Sequence, residues 1–309
     1  MYIDVLIPPP FTIPNAANSL IITTGGDGIS ELALIKSPYQ DKSFNEQLIV
    51  QNFMQGVYSV LSHSPRFTKD KLHIASTRQS KGMLTSRQLN WDLIDSLIKD
   101  READMVVAME YCRMIDSFDL YYNADIYGYT ARYVIHYYTV WRMYYPAEHK
   151  ILDEYIIRDS LIWTASAGDA YNAVRELPLA GYAATEAAYE AGVTYGLRIA
   201  PYWKEEVRRI HTPGHIDMQI AKRWAKKGQW KKAMEIWAFH ANNPQSRLQT
   251  MATYNMAVAY ETLDMLDEAL LWAKKAYDME KTNRHKNYVE QIQQRMEIKE
   301  TLEKQMNIR

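Results

Sequence analysis

The sequence predicts an α+β N-terminal domain followed by an all-α helical-repeat domain, on three observations. Residues 214–280 carry one helical-hairpin pattern twice in tandem, residues 131–163 alternate as two long strands about a turn, and the composition shifts between them at residues 164–169. Small residues at 164–169 open an alanine-rich helical stretch, which sets the expected boundary. The expected domains are 1–165, with a mixed sheet, two main helices and a long antiparallel hairpin, and 166–309, which is helical.

Residues 2–7 alternate and are stopped by Pro8, Pro9 and Pro10, which remove ladder donors, so they read as a first strand. Residues 20–24 are apolar and β-branched and run into Gly25, Gly26, Asp27 and Gly28, a strand followed by a sharp turn. From Ser43, a plausible cap, the spacing becomes helical: Phe44, Leu48, Ile49, Phe53, Val57, Val60 and Leu61 recur at three or four, ending near Ser62. Residues 72–75 are a short apolar run. Asn90 introduces a second helix with Leu93, Ile94 and Leu97 on one face, and residues 103–109 read as a buried strand.

Along residues 131–143, Tyr133, Ile135, Tyr137, Thr139 and Trp141 share one strand face, while Arg132, Val134, His136, Tyr138 and Arg142 share the other. Pro146 to His149 turn the chain, and residues 151–163 return as the partner strand. Two readings of the many tyrosines stay open: a stacking platform for a sugar or peptide, or ordinary cross-strand aromatic neighbours.

In the helical half, Ala183, Ala187, Ala188, Ala191 and Gly192 allow close helix approach, read as an irregular helix pair ending at Pro201. Residues 203–210 fit either a helix or an alternating strand. In the first repeat Ile220, Ala221 and Trp224 precede a turn at Gly228, then Trp230, Ala233 and Trp237 follow. In the second, Met256, Ala257 and Tyr260 precede Asp264, then Leu266, Ala269, Ala273 and Ala276 follow. Ala233 and Ala269 stand 36 positions apart, and a helix-pair period of this size marks stacked repeats. Tyr288, Ile292 and Met296 form the stripe of a terminal capping helix, and the tryptophans at 224, 230 and 237 are assigned to packing.

The chain has 309 residues, 47% hydrophobic and 24% charged, enough for two domains and a sizeable core. A net charge of -1 gives no global reason to expect nucleic acid or an anionic membrane. Cys112 is the only cysteine, which excludes an intramolecular disulfide and a cysteine metal cage. No stretch approaches the roughly 18 apolar residues that span a bilayer.

Catalytic and cofactor signatures are weak. The glycine cluster at 25–28 lacks the dinucleotide spacing and a phosphate-loop Lys-Ser pair, so a turn is the simpler reading beside a phosphate role. His211 and His215 have a zinc-compatible spacing, but Pro213 and Gly214 interrupt any helix, and His215 reads as a surface residue near the first repeat helix. No elbow, triad or carboxylate pair is visible, so no catalytic residue, cofactor or metal is expected.

Residues 204–232 hold nine Lys or Arg against three acids, either a solvated face or part of a groove. The second copy, YNMAVAYETLDMLDEALLWAKKAY, resembles the tetratricopeptide repeat. In that family the first helices line a concave groove. The resemblance therefore implies a binding surface of Met218, Lys222, Lys226, Tyr254, Asn255, Val258 and Glu261, suited to an acidic peptide or chain terminus.

IDVLIPPPFTIP at 3–14, YGLRIAPYW at 195–203, GQWKKAMEIW at 228–237 and YNMAVAYE at 254–261 extend the likeness to the whole chain. It resembles an uncharacterised family of Bacteroidetes cell-envelope lipoproteins that join an α/β domain to a repeat domain. This implies the periplasm or outer membrane, with any membrane attachment through a lipid anchor outside the sequence given. The expected function is a non-enzymatic envelope binding or adaptor protein with a protein or peptide partner, acidic in character, and no nucleic acid. The alternative is a glycan or small-ligand binding protein, or a hydrolase, using the tyrosine-rich hairpin.

Overall fold

The computed structural model describes residues 1–25, 31–35, 38, 45–75, 88–212, 214–244 and 246–306. Gly26, Asp27, Gly28, Ser43 and Phe44 lie outside the described residues. A mixed sheet-rich region is followed by a run of helices, and the chain divides into two compact units, Pro9–Tyr202 and Met1–Pro8 with Trp203–Arg309.

The chain opens on β1 (Tyr2–Ile7), a strand as expected, which belongs to the second unit. In the first unit β2 (Leu20–Thr24), β3 (Glu31–Ala33), β4 (Leu72–Ile74), β5 (Met105–Asn123), β6 (Gly128–Tyr145) and β7 (Lys150–Ala167) form one sheet. Its order is β4-β2-β5-β6-β7, with β3 also pairing β5. The β2 pairings with β4 and β5 are parallel, and β5-β6-β7 is an antiparallel meander. α1 (Glu46–His63), α2 (Trp91–Arg101), α3 (Ala170–Arg175) and α4 (Ala180–Ile199) complete the unit.

β2 is buried along its whole length because both of its faces are covered, as parallel strands require. Leu20 and Ile22 share a core with Ile49, Phe53 and Val57 of α1 and with the alanines of α4, while Ile21 shares a second core with Ile94 and Leu97 of α2. Asn90 caps α2 through Asp92 N–H. On β6 the face carrying Tyr133, Ile135, Tyr137, Thr139 and Trp141 is entirely buried, so these aromatics are core. Trp141 stacks on Tyr195 of α4 with ring centroids 4.8 Å apart. β5 runs well past the expected end at 109. A register shift between Met109 and Tyr111 accommodates Glu110, whose buried carboxylate receives Arg142, Tyr144 and Leu89 N–H.

Two expectations change here. The alanine-rich stretch forms the short α3 and one continuous α4 rather than an irregular helix pair, and it packs inside the first unit. The expected boundary at 165 therefore moves to Tyr202/Trp203. The cause is the Gly56–Gly192 seam between α1 and α4, where each backbone fills the space a Cβ would need.

In the second unit β1 pairs with β8 (Tyr202–Val207), so the strand reading of residues 203–210 holds for the first part of that stretch. Then follow α5 (Ile216–Lys226), α6 (Trp230–Ala241), α7 (Gln249–Thr262), α8 (Leu266–Met279) and α9 (Asn283–Met306). Each helix packs on the next. α7 is the centre: Ala252, Met256 and Ala259 join the α5–α6 core, while Tyr254, Ala257 and Val258 join α8 and α9. Tyr288 and Ile292 of α9 cover the end of the stack. Trp230 and Trp237 are buried; Trp224 is half-buried, beneath the Lys227 and Lys232 ammonium groups. The turn before α6 uses Gly228 at φ 73° and the turn before α8 uses Asp264 at φ 58°, since a short polar side chain tolerates the left-handed region better than most.

Candidate functional site

A cavity of about 530 Å³ opens in the second unit. Its walls come from Met1, the residues that follow β8, one face of α5, Met251 of α7 and Arg284 of α9. Arg209, Lys222, Lys226 and Arg284 all line it, and among the described residues no carboxylate does. Among the described residues none of these four cations forms an ion pair, so their fields add over one concavity.

The wall from Arg208 to Thr212 is held from below by α7. The Asn255 side chain accepts His211 N–H at 2.8 Å and donates to His211 C=O at 2.8 Å, which satisfies both backbone groups of one residue. Arg208, itself buried, donates through Nε and Nη2 to Glu261 at 2.8–3.1 Å and through Nη2 to Glu206 at 2.7 Å. Arg208 N–H is accepted by Met1 C=O at 2.7 Å.

His211 is the unusual member of the wall. Its Nε2 is buried with no hydrogen-bond partner among the described residues, and its ring stands edge-on to Tyr254 at 4.8 Å. Burial first, then the positive charge of Arg284 and the neighbouring His285, holds this imidazole below its ordinary value. It thus lies in the wall beside four cations, whose N–H groups are matched to carboxylate or phosphate oxygens.

Of the seven residues expected to form a groove, Lys222 and Lys226 line the cavity, and the other five are buried. Met218 packs with Ala221 and Trp237, and Val258 with Ala269 and Ala273. Tyr254, Asn255 and Glu261 act beneath the cavity wall, through the contacts just given. Arg209 stood within the basic run of the sequence. Arg284 gave no local signal, because only the packing of α9 beside α7 brings it to the site.

A domain of unknown function, DUF8603, matches residues 26–211, more than half of the chain. The chain belongs to this family. The DUF8603 match covers the sheet unit from residue 26 onward, after β2, and ends within the cavity wall at His211, while a second domain of unknown function, DUF6340, matches residues 219–301 and takes in Lys222, Lys226 and Arg284. No curated protein matches the sequence.

Similar solved structures include a neuraminyllactose-binding hemagglutinin homolog from Helicobacter pylori, at 13% identity and TM-score 0.33, covering 61% of this chain and 85% of that one. A PelC dodecamer from Paraburkholderia phytofirmans aligns at 6% identity and TM-score 0.27, covering 65% and 99%. A hypothetical protein from Chlamydia trachomatis aligns at 12% identity and TM-score 0.26, covering 58% and 96%. Likeness at these scores carries neither ligand nor assembly over to this DUF8603 chain.

Proposed function

We propose that the protein is a non-enzymatic binding or adaptor protein of the cell envelope, whose helical unit takes an acidic peptide segment or chain terminus at the basic cavity. The observation that carries the reading is the set of four cations, Arg209, Lys222, Lys226 and Arg284, with no ion pair among the described residues, around one concavity with His211 in its wall. An incoming carboxylate relieves their mutual repulsion and finds donors already in place. A tetratricopeptide-like character supports the same reading. The left-handed turns at Gly228 and Asp264 recur at the 36-residue interval that separates the buried Ala233 and Ala269. The envelope location rests on the whole-chain resemblance. Among the described residues no helix is long and apolar enough to cross a membrane.

Fluorescence anisotropy with a labelled Glu- and Asp-rich peptide tests the site. The Lys222→Glu/Lys226→Glu double variant is expected to bind at least about tenfold more weakly, and raising salt from about 50 to about 300 mM to weaken the parent further. Both lysines face solvent or the cavity, so the fold is expected to tolerate the change. Equal affinity in parent and variant removes the cavity from the proposal.

A second reading, glycan binding in the first unit, is favoured by one observation: Tyr121, Tyr122 and Tyr127, near the β5–β6 turn, are 51%, 57% and 85% exposed. A glycan array on the purified chain is expected to show hits that Tyr127→Ala abolishes if that reading holds. A blank array removes it.

A further inference from the structure

The N-terminus of α5 and the C-terminal turn of α6 bring together three metal-ligating side chains that lie far apart in sequence. His215 is the N-cap of α5, Asp217 stands in its first turn, and His240 lies in the last turn of α6. Asp217 Oδ2 is 2.9 Å from His240 Nε2 and 3.9 Å from His215 Nδ1, and all three ligand atoms fall within 4.8 Å of one another. The two imidazole rings are 5.4 Å apart at 78°, a T-shaped contact.

Two imidazole nitrogens and one carboxylate oxygen, with no thiolate, are the donor set of open zinc sites, which keep a fourth position for water or a ligand. We propose that His215, Asp217 and His240 bind a divalent transition-metal ion of the zinc class, and that the ion ties the start of α5 to the end of α6. Donors around a tetrahedral ion with bonds of about 2.0–2.1 Å stand about 3.4 Å apart. Asp217 and His240 lie slightly inside that separation. The His215 side chain, 46% exposed, has room to swing the rest of the way.

His215 Nδ1 accepts Asp217 N–H at 3.3 Å, which marks that nitrogen as unprotonated, and ligation exchanges this long cap bond for a bond to the ion. His240 Nδ1 is 3.1 Å from Ser246 Oγ, and that oxygen is itself fixed by Leu248 N–H at 3.2 Å. Without an ion, His240 Nε2–H donates to Asp217 Oδ2 at 2.9 Å; an ion between them takes the place of that proton, and the ring then carries its proton on Nδ1 and donates it to Ser246, the orienting arrangement common behind metal-bound histidines. The partial positive charge of the α5 N-terminus opposes a cation there, and Asp217 supplies the charge that offsets it. His211, the sequence neighbour with zinc-like spacing, takes no part, since its backbone is bound to Asn255 and its ring packs on Tyr254.

The test is a titration of the tag-free, chelator-stripped full chain with Zn²⁺ by calorimetry and with Co²⁺ by visible absorption. One equivalent is expected to bind at micromolar concentration or tighter, with the Co²⁺ bands of a four- or five-coordinate site and a Tm rise of roughly 5 °C at saturating Zn²⁺. His215→Ala, Asp217→Asn and His240→Gln are each expected to weaken binding at least about tenfold, and His211→Ala to leave it unchanged. His240→Gln removes a buried ring, so the partly exposed His215→Ala and Asp217→Asn variants carry the decision independently of folding. Absence of Co²⁺ bands, or Zn²⁺ affinity unaltered in His215→Ala, overturns the proposal.

Discussion

Glu261→Ala is expected to lower the stability of the helical unit by about 3–5 kcal/mol, read by urea unfolding followed through tryptophan fluorescence. The Glu261 side chain has no exposure and collects five short polar contacts from three residues: Arg208 Nε at 3.1 and 2.9 Å, Arg208 Nη2 at 2.8 Å, Arg295 Nη1 at 3.0 Å and Tyr288 Oη at 2.8 Å. Alanine deletes every one of them at once and leaves the Arg208 guanidinium, 5% exposed, with Glu206 as its one charged partner among the described residues and a long bond to Val207 C=O. Burial by itself lowers the Arg208 pKa, and it is Glu261, then Glu206, that hold it above the ordinary value. Burial also pushes the Tyr288 phenol up, with the Glu261 charge adding to it, so that hydroxyl stays protonated and needs an acceptor.

Glu261→Gln keeps the shape and one acceptor oxygen, so its loss is expected to fall between parent and alanine. A loss below about 1 kcal/mol for Glu261→Ala, the range of an exposed pair, would show that the network is solvated in solution. The same variant loosens the cavity wall, because Arg208 begins the segment that carries Arg209 and His211 into the site. Weakened peptide binding should therefore accompany the lost stability.

What the sequence revealed follows physical lines. Strict alternation along residues 131–143 is a local property of one strand, and it placed the buried face of β6 correctly. Glu110 stopped the apolar run that marked β5, and the strand continues through it only because Arg142 and Tyr144, more than thirty positions on, satisfy its carboxylate. The groove assignment shows how a helical face drifts. Steps of four residues advance about 40° beyond a full turn, so Met218, Lys222 and Lys226 pass from core through half-buried to exposed. On α7 no such face exists, since helices cover it on both sides, and Asn255 and Glu261 read as polar surface until their buried partners are known. The His215–Asp217–His240 cluster was hidden for a similar reason. His211 was nearer in sequence, while His240 arrives only through the pairing of α5 with α6.

Gly192→Ala is expected to destabilise the first unit by about 1–3 kcal/mol, against the sign of helix propensity. In an uncrowded helix interior the same change stabilises by about 1 kcal/mol, because alanine loses less backbone entropy than glycine. Here a Cβ on Gly192 meets Phe53 C=O at 2.1 Å and Gly56 Cα at 3.0 Å, and a Cβ on Gly56 meets Tyr189 C=O at 2.1 Å. The obstacles are backbone atoms of the facing helix, which cannot rotate away, so α1 and α4 must separate. That motion acts on the sheet as well: Tyr195, one turn beyond Gly192 on α4, stacks on Trp141 of β6, and Phe53 packs edge-on to the same indole at 6.3 Å. A weakened near-ultraviolet circular dichroism signal should therefore accompany the lost stability. Gly196→Ala provides the internal comparison, because its Cβ would meet the Val60 side chain at 2.8 Å rather than backbone. Its cost is expected to be the smaller of the two. Equal effects at 192 and 196, or a gain at 192, would mean that the two helices do not approach through their backbones and that the alanine-rich α4 is free to join the helical domain.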